Sequence, residues 1–205
     1  MSNEMVSEED KKEILKYCFN VLKNHFEKDF KIPNPKFLNS SYPLFVTLRI
    51  KKTEEKEDIN YRLRGCVGTF ETIDLVDGLK KYTKYSAFND SRFSPLRSSE
   101  FPRISLEISL LYDFSDVGDR WSEFVIGVDG LSIDFEYQGK KYHSTYLPEV
   151  ALEQGWSERE TIVNLIRKSG YRSVVDDRLL KSLHIKTYKT LKFGMKHDEY
   201  IKLSD

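Results

Sequence analysis

The chain has 205 residues, 39% hydrophobic, 13% aromatic and 32% charged, which allows a packed core and excludes wholesale disorder. Lys plus Arg and Asp plus Glu both number 33, so no net field draws the protein to nucleic acid or anionic lipid, and any basic site must be local. Cys18 and Cys66 are the only cysteines and form no CxxC pair, which argues against a disulfide framework and a cysteine zinc site.

No apolar run reaches the roughly 18 residues of a membrane span, and residues 1–10 lack the pattern of a signal peptide. A cytoplasmic location, also nuclear, is the expectation, with a flexible N-terminus over 1–10 and one domain over 11–205. Ser7 before Glu8, Glu9 and Asp10 is a helix N-cap with acids in the first turn. Ile14, Leu15, Cys18, Phe19, Leu22 and Phe26 then recur at helical spacing, which puts Cys18 on the buried stripe.

Pro33 and Pro35 end that helical region, and Leu44, Val46, Leu48 and Ile50 alternate as a strand. Residues 51–58, seven charged and one Thr, read as a solvated hairpin loop before the alternation of Ile59, Tyr61 and Leu63. These two strands should pair antiparallel. Leu63-Arg64-Gly65-Cys66-Val67-Gly68 is then expected as a turn leading to a helix over 74–89, on which Leu75, Leu79, Tyr82 and Ser86 share a face.

Pro95 and Pro102 bracket an irregular stretch, and Ile104, Leu106, Ile108 and Leu110 mark a half-exposed strand. The runs 124–128 and 131–137 predict a hairpin across Asp129-Gly130, and 140–146 a further strand. Pro148 opens a short helix closed by Gly155. Ser157 and Glu160 form a capping box for the next helix, which ends near Gly170. Residues 184–193 have strand-like content with imperfect alternation and read as an edge strand. Strands and helices interleave irregularly, with no repeat, so the fold class is α+β.

The glycines around Cys66 point to backbone angles that other residues avoid, or to an approach too close for a side chain. Cys66 is then either a thiolate nucleophile, favoured by Arg62, Arg64 or the following helix, or a small packed thiol. A second reading is anion binding, with the N–H groups of residues 65–68 and Arg64 or Arg92 gripping phosphate or carboxylate. Its structural counterpart is Arg64 tied to backbone or to an acid such as Asp90. Asp90 and Ser91 read first as cap and turn residues.

His143 and Glu149 lie at a strand-to-helix junction and are candidate bases for Cys66. The four histidines have no metal-ligand spacing, so neither a metal nor a cofactor is predicted. Residues 165–205 hold ten Lys or Arg against five Asp or Glu, with Tyr171, Tyr188 and Phe193 interspersed, a basic face with stacking groups. No nucleic-acid-binding signature accompanies it, and protection of an edge strand is the favoured reading.

Pro43-Leu44-Phe45-Val46-Thr47, the motif 63–70, Asp90-Ser91-Arg92-Phe93, Tyr146-Leu147-Pro148-Glu149-Val150-Ala151, Glu153-Gln154-Gly155-Trp156 and 165–171 together resemble the AMMECR family. The name derives from the Alport syndrome, midface hypoplasia and elliptocytosis chromosomal region. The resemblance spans nearly the whole chain in order, with Val67 where Ile is usual and Ser169 where Gly is common. Tyr142-His143 falls in a divergent stretch, which weakens His143 as a base.

The resemblance implies an α+β domain of two lobes, antiparallel or mixed sheets with flanking helices, and a cleft lined by the glycine-cysteine motif. It also implies, by association alone, a pathway shared with Memo-type and radical-SAM proteins. The resulting expectation is a small-molecule-binding or enzymatic domain. Cys66 would be its nucleophile, Glu149 an acid or base, and Arg64, Gly65, Gly68, Asp90 and Arg92 would hold an anionic ligand. The alternative is a non-enzymatic scaffold for a protein partner, with nucleic-acid binding the least supported.

Overall fold

The computed structural model of the chain describes residues 6–52 and 61–203, so most of the charged stretch 51–58, and Ile59, lie outside the described residues. Two compact units emerge, Met1–Leu110 with Lys192–Asp205, and Leu111–Leu191.

In the first unit, helix α1 (Glu8–Phe26) begins at the expected cap, where the Ser7 side chain accepts the Asp10 N–H at 3.1 Å. Of the expected flexible N-terminus, residues 1–5 lie outside the described residues, whereas Val6 is buried and Glu8 to Asp10 form the first turn of α1. Strands β1 (Ser41–Lys51), β2 (Tyr61–Asp74) and β3, which starts at Ile104 and runs to Gly118, are ordered β2-β1-β3 and pair antiparallel. Helix α2 (Leu75–Phe88) is capped by Asp74 and closed at Asn89, as the periodicity predicts.

Alternation sends Leu44, Val46, Leu48 and Ile50 of β1 into a core shared with Leu79, Leu106 and Ile108. Cys18 is fully buried in the same unit, on the stripe that its spacing indicated. Phe45, Thr47 and Arg49 point to the opposite face of the sheet.

One expectation is overturned here. Residues 63–68 do not form a turn: they are the middle of β2, with Gly65 facing Leu48, Cys66 facing Thr47 and Gly68 facing Phe45. The next pair is Leu63 with Arg49, so Arg64 is the extra residue of a β-bulge, a device that re-aims a side chain without ending the strand. Neither motif glycine has a positive φ. Both answer to close approach, since a Cβ on Gly65 would lie 1.9 Å from the Ser86 carbonyl oxygen, and one on Gly68 2.2 Å from that of Leu44.

The second unit contains the rest of β3, β4 (Gly130–Tyr137), β5 (Lys140–Tyr146), α3 (Pro148–Gln154), α4 (Glu158–Lys168), α5 (Asp177–Leu180) and the start of β6 (His184–Lys196). Ile133, Phe135, Ile162, Leu165, Ile166 and Ile185 form its core. The α4 capping box, Gly155 at φ 66° and Gly170 at φ 92° stand where the sequence put them.

The predicted hairpin is displaced. Residues 124–128 are turns rather than a strand, because the Asp129 carboxylate accepts the Val125 N–H at 2.7 Å and Gly127 reverses the chain at φ 79°. The hairpin joins β4 to β5 across Gln138-Gly139, both at positive φ. Gly130 is needed for a different reason: a Cβ there would lie 2.2 Å from the Tyr188 ring.

Strand β6 is not an edge strand. Its start pairs with β4 in the second unit, its end lies beside β3 in the first, where Ser105 donates to the Met195 carbonyl, and it has a neighbour on each side. Several of the basic residues in 165–205 have structural partners, Lys189 on Asp129 and Lys192 on Glu107, with Arg167 on the Tyr171 and Ser173 carbonyls. Helix α6 (His197–Lys202) closes the first unit, with Tyr200 stacked on Phe19.

Candidate functional site

The motif segment of β2 lies at one end of the strand order, so the groups of Cys66 that face away from β1 need other partners. Asp90 and Arg92 supply them. The Asp90 carboxylate accepts the Cys66 N–H at 2.9 Å, and Arg92 Nη2 donates to the Cys66 carbonyl at 3.1 Å. Arg92 also grips Asp90 with Nε at 3.0 Å and Nη2 at 2.7 Å. A paired acid and base thereby take the place of a neighbouring strand.

The Asp90 side chain is only 6% exposed, and its bonds to Arg92 above all, then to the Cys66 and Arg92 N–H groups, hold its carboxyl well below the usual carboxylate range despite burial. Arg92 is raised in turn, by Asp90 first and by proximity to Cys66 as a smaller cause. On the other side of the segment, the Ser86 hydroxyl accepts the Val67 N–H at 2.9 Å and donates to the Val46 carbonyl at 2.7 Å, bridging β1 and β2 from α2. Gly65 is where the backbone of α2 comes closest.

The bulged residue Arg64 turns toward the loop after α2. It forms a two-pronged pair with Glu100, Nε to Oε1 and Nη2 to Oε2 at 3.0 Å each, and donates to the Pro95 carbonyl at 3.3 Å. Arg64 therefore takes the structural role that stood as the counterpart to anion binding, with Glu100 rather than Asp90 as the acid. Arg64 holds Glu100 down to about 2, helped by the Arg97 N–H and against the effect of burial.

With its main chain so fixed, Cys66 presents a half-buried thiol on the face opposite α2, where the Thr47 hydroxyl donates to Sγ at 3.2 Å. Directly opposite residues share a face, so Glu107, which faces Thr47 from β3, continues the row, and Lys192 lies 3.6 Å from its carboxylate. Cys18 differs completely: burial pushes its thiol up to about 12. Iodoacetamide should therefore modify one thiol rapidly in the native protein, Cys66, and two after denaturation. Peptide mapping that found Cys18 alkylated natively, or Cys66 protected, would contradict this assignment.

Comparison with known proteins places the chain. Residues 15–193 match the AMMECR1 family. An uncharacterized protein of Arabidopsis thaliana is 35% identical over 192 residues, 93% of this chain and 87% of its own, and one of Schizosaccharomyces pombe is 39% identical over 196 residues, 94% and 96%. The chain belongs to the AMMECR1 family. The crystal structure of an uncharacterized Pyrococcus horikoshii protein covers 92% of this chain and 93% of its own, with a TM-score of 0.73 at 23% identity, and so shares the fold.

Other candidate residues of this AMMECR1-family chain lie in the second unit. Glu149 lies in the first turn of α3, where its charge contributes to raising the Tyr188 phenol, after burial, the larger cause. His143 pairs its Nδ1 with Asp134 at 2.9 Å on an exposed part of the β4–β5 hairpin. Among the described residues no three His, Cys, Asp or Glu side chains gather as a metal would require, and no helix is long and apolar enough to cross a membrane.

Sequence reading missed Thr47, Ser86, Glu100, Glu107 and Lys192. Ser86 did carry a signal, being a polar residue on an otherwise apolar helical face whose hydroxyl the fold then uses. Glu100 carried none, because its partner lies 36 residues away in the chain.

Proposed function

We propose that the first unit of this AMMECR1-family protein binds a small anionic molecule at the sheet face around Cys66. The observation that supports this most is the way the Cys66 main chain is fixed on both sides while its thiol stays accessible beside the Thr47 hydroxyl. Such a thiol is held in place by its surroundings and is not itself part of the core. Arg92 offers the anion a partner, since its side chain is 55% exposed and its Nη1 takes no part in the bonds to Asp90 and Cys66.

Adjacent strands lie about 4.8 Å apart, so the Glu107–Lys192 pair stands about 10 Å from the thiol on the same face. A molecule of a few heavy atoms fits along that row. Binding is favoured over nucleophilic catalysis because the carboxylate nearest the Cys66 main chain, Asp90, is locked in its pair with Arg92 and is a poor base at neutral pH. Glu149 is not needed for this reading.

Thermal-shift screening of a metabolite collection should find an anionic compound that stabilises the wild type, by about 2.7 kcal/mol at a hundredfold excess over Kd. Its affinity should fall at least about tenfold in both Cys66→Ser and Arg92→Ala, each read against its own unliganded midpoint. Ligands that stabilise all three proteins equally would remove the site from Cys66. A screen in which no anion stabilises the wild type, together with affinity capture of a stoichiometric protein partner, would favour a scaffold role.

A further inference from the structure

A separate cavity lies on the other side of the bulge. Arg62, Leu63, Arg64, Phe93, Ser94, Arg97 and Glu100 line an open pocket of about 330 Å³. Three guanidinium groups meet one carboxylate there, a formal excess of two positive charges. Glu100 is committed to Arg64 by the two-pronged pair, and one of its oxygens also accepts the Arg97 N–H at 2.9 Å. Little of that carboxylate remains for the Arg97 side chain, whose Nε stands 3.6 Å away and which is 78% exposed.

Arg62 is exposed and makes no ion pair among the described residues, and the Ser94 hydroxyl makes no hydrogen bond among them. Arg64 itself is 7% exposed and completes only part of its donor set, its Nη1 being buried without an acceptor among the described residues. A buried charged donor left unbonded is costly, and an anion in the pocket that Arg64 lines would offset part of that uncompensated charge.

We infer that this cavity is a binding site for a phosphomonoester, independent of the Cys66 site. Arg62 and Arg97 are the groups that bind the phosphate, with Ser94 as a further donor. Guanidinium forks match a tetrahedral oxyanion with several acceptor oxygens better than a single carboxylate, which Glu100 already supplies to Arg64. The Phe93 side chain gives the organic part an apolar wall. Arg64 holds the floor of the site through Glu100 and is a positioning residue rather than the main contact.

The test is calorimetric titration of the full chain with inorganic phosphate and with phenyl phosphate at fixed ionic strength, chloride serving as the control anion. Both should bind, phenyl phosphate more tightly. Arg62→Ala and Arg97→Ala remove exposed side chains, so folding is not at stake, and each should weaken binding about tenfold. Cys66→Ser, and Arg178→Ala, which removes an exposed basic side chain from α5 in the second unit, should bind as the wild type does. Heats no greater than those of chloride, or unchanged affinity in Arg62→Ala and Arg97→Ala, would overturn the inference. Loss of phosphate binding in Cys66→Ser would also overturn it, by assigning the anion to the thiol site.

Discussion

Gly65→Ala is expected to destabilise the protein by about 3 kcal/mol, at or above the upper end of ordinary overpacking. The added methyl would lie 1.9 Å from the Ser86 carbonyl oxygen, 2.9 Å from its carbonyl carbon and 3.5 Å from its Cα. These are backbone atoms of α2 and cannot rotate away, so helix and strand must separate. Separation also loosens the Ser86 hydroxyl that links Val67 to Val46. Gly139→Ala is the useful contrast: φ is 75° there and nothing stands within 4 Å of the new Cβ. Its cost is left-handed backbone strain alone, about 1 kcal/mol. Urea denaturation of both variants separates the two reasons for a glycine, and a Gly65→Ala cost no larger than that of Gly139→Ala would show that α2 yields freely.

Glu100→Gln should lower stability by a similar amount, about 3 kcal/mol, because removal of one partner leaves the Arg64 guanidinium buried without its counter-charge. Replacing both, as Arg64→Met with Glu100→Leu, should recover most of the loss, since the charge and its desolvation disappear together. If the double variant is as unstable as the single one, the loss comes from the Pro95 and Arg97 contacts of this loop instead.

The same pair sets a pH dependence whose sign is fixed by the direction of the shift. Glu100 is lowered from 4.5 to about 2 in the folded protein, so the unfolded chain takes up its proton first as the solution is acidified. Its contribution is complete above pH 4.5 and is lost as pH falls toward 2. Asp90, lowered in the same direction by Arg92, adds to the same acid limb. Denaturation midpoints measured between neutral pH and pH 2 should fall less steeply for Glu100→Gln than for the wild type. An identical acid limb in the two proteins would mean that Glu100 titrates alike in both states.

Much of the local structure is legible in the residues because the forces that set it act over one turn or one strand pair. Ser7, Asp74 and Ser157 fix helix starts by bonding their own first turns, and the apolar spacing of α1 places Cys18 in the core. The alternation in β1 separates its core residues from Phe45, Thr47 and Arg49. Reading fails where a local signal has two causes. Asp129-Gly130 looks like a hairpin turn, but that glycine accommodates the Tyr188 ring, and the chain reverses at Gln138-Gly139.

The motif around Cys66 shows both sides of this. Residue pattern is enough for the α+β class, most helix limits, the resemblance to the family and a special demand at Gly65 and Gly68, of backbone angle or of space. Long-range packing settles that the segment is a bulged strand and not a turn, that its glycines answer to close approach, that Arg64 pairs with Glu100, and that Cys66 faces Thr47. The contacts responsible join residues 19, 24, 36 and 40 positions apart: Thr47 to Cys66, Cys66 to Asp90, Arg64 to Glu100 and Ser86 to Val46. Propensity and capping act over a few residues, whereas these pairings are selected by how α2 and the loop after it pack on the edge of β2, and that is a property of the folded chain alone.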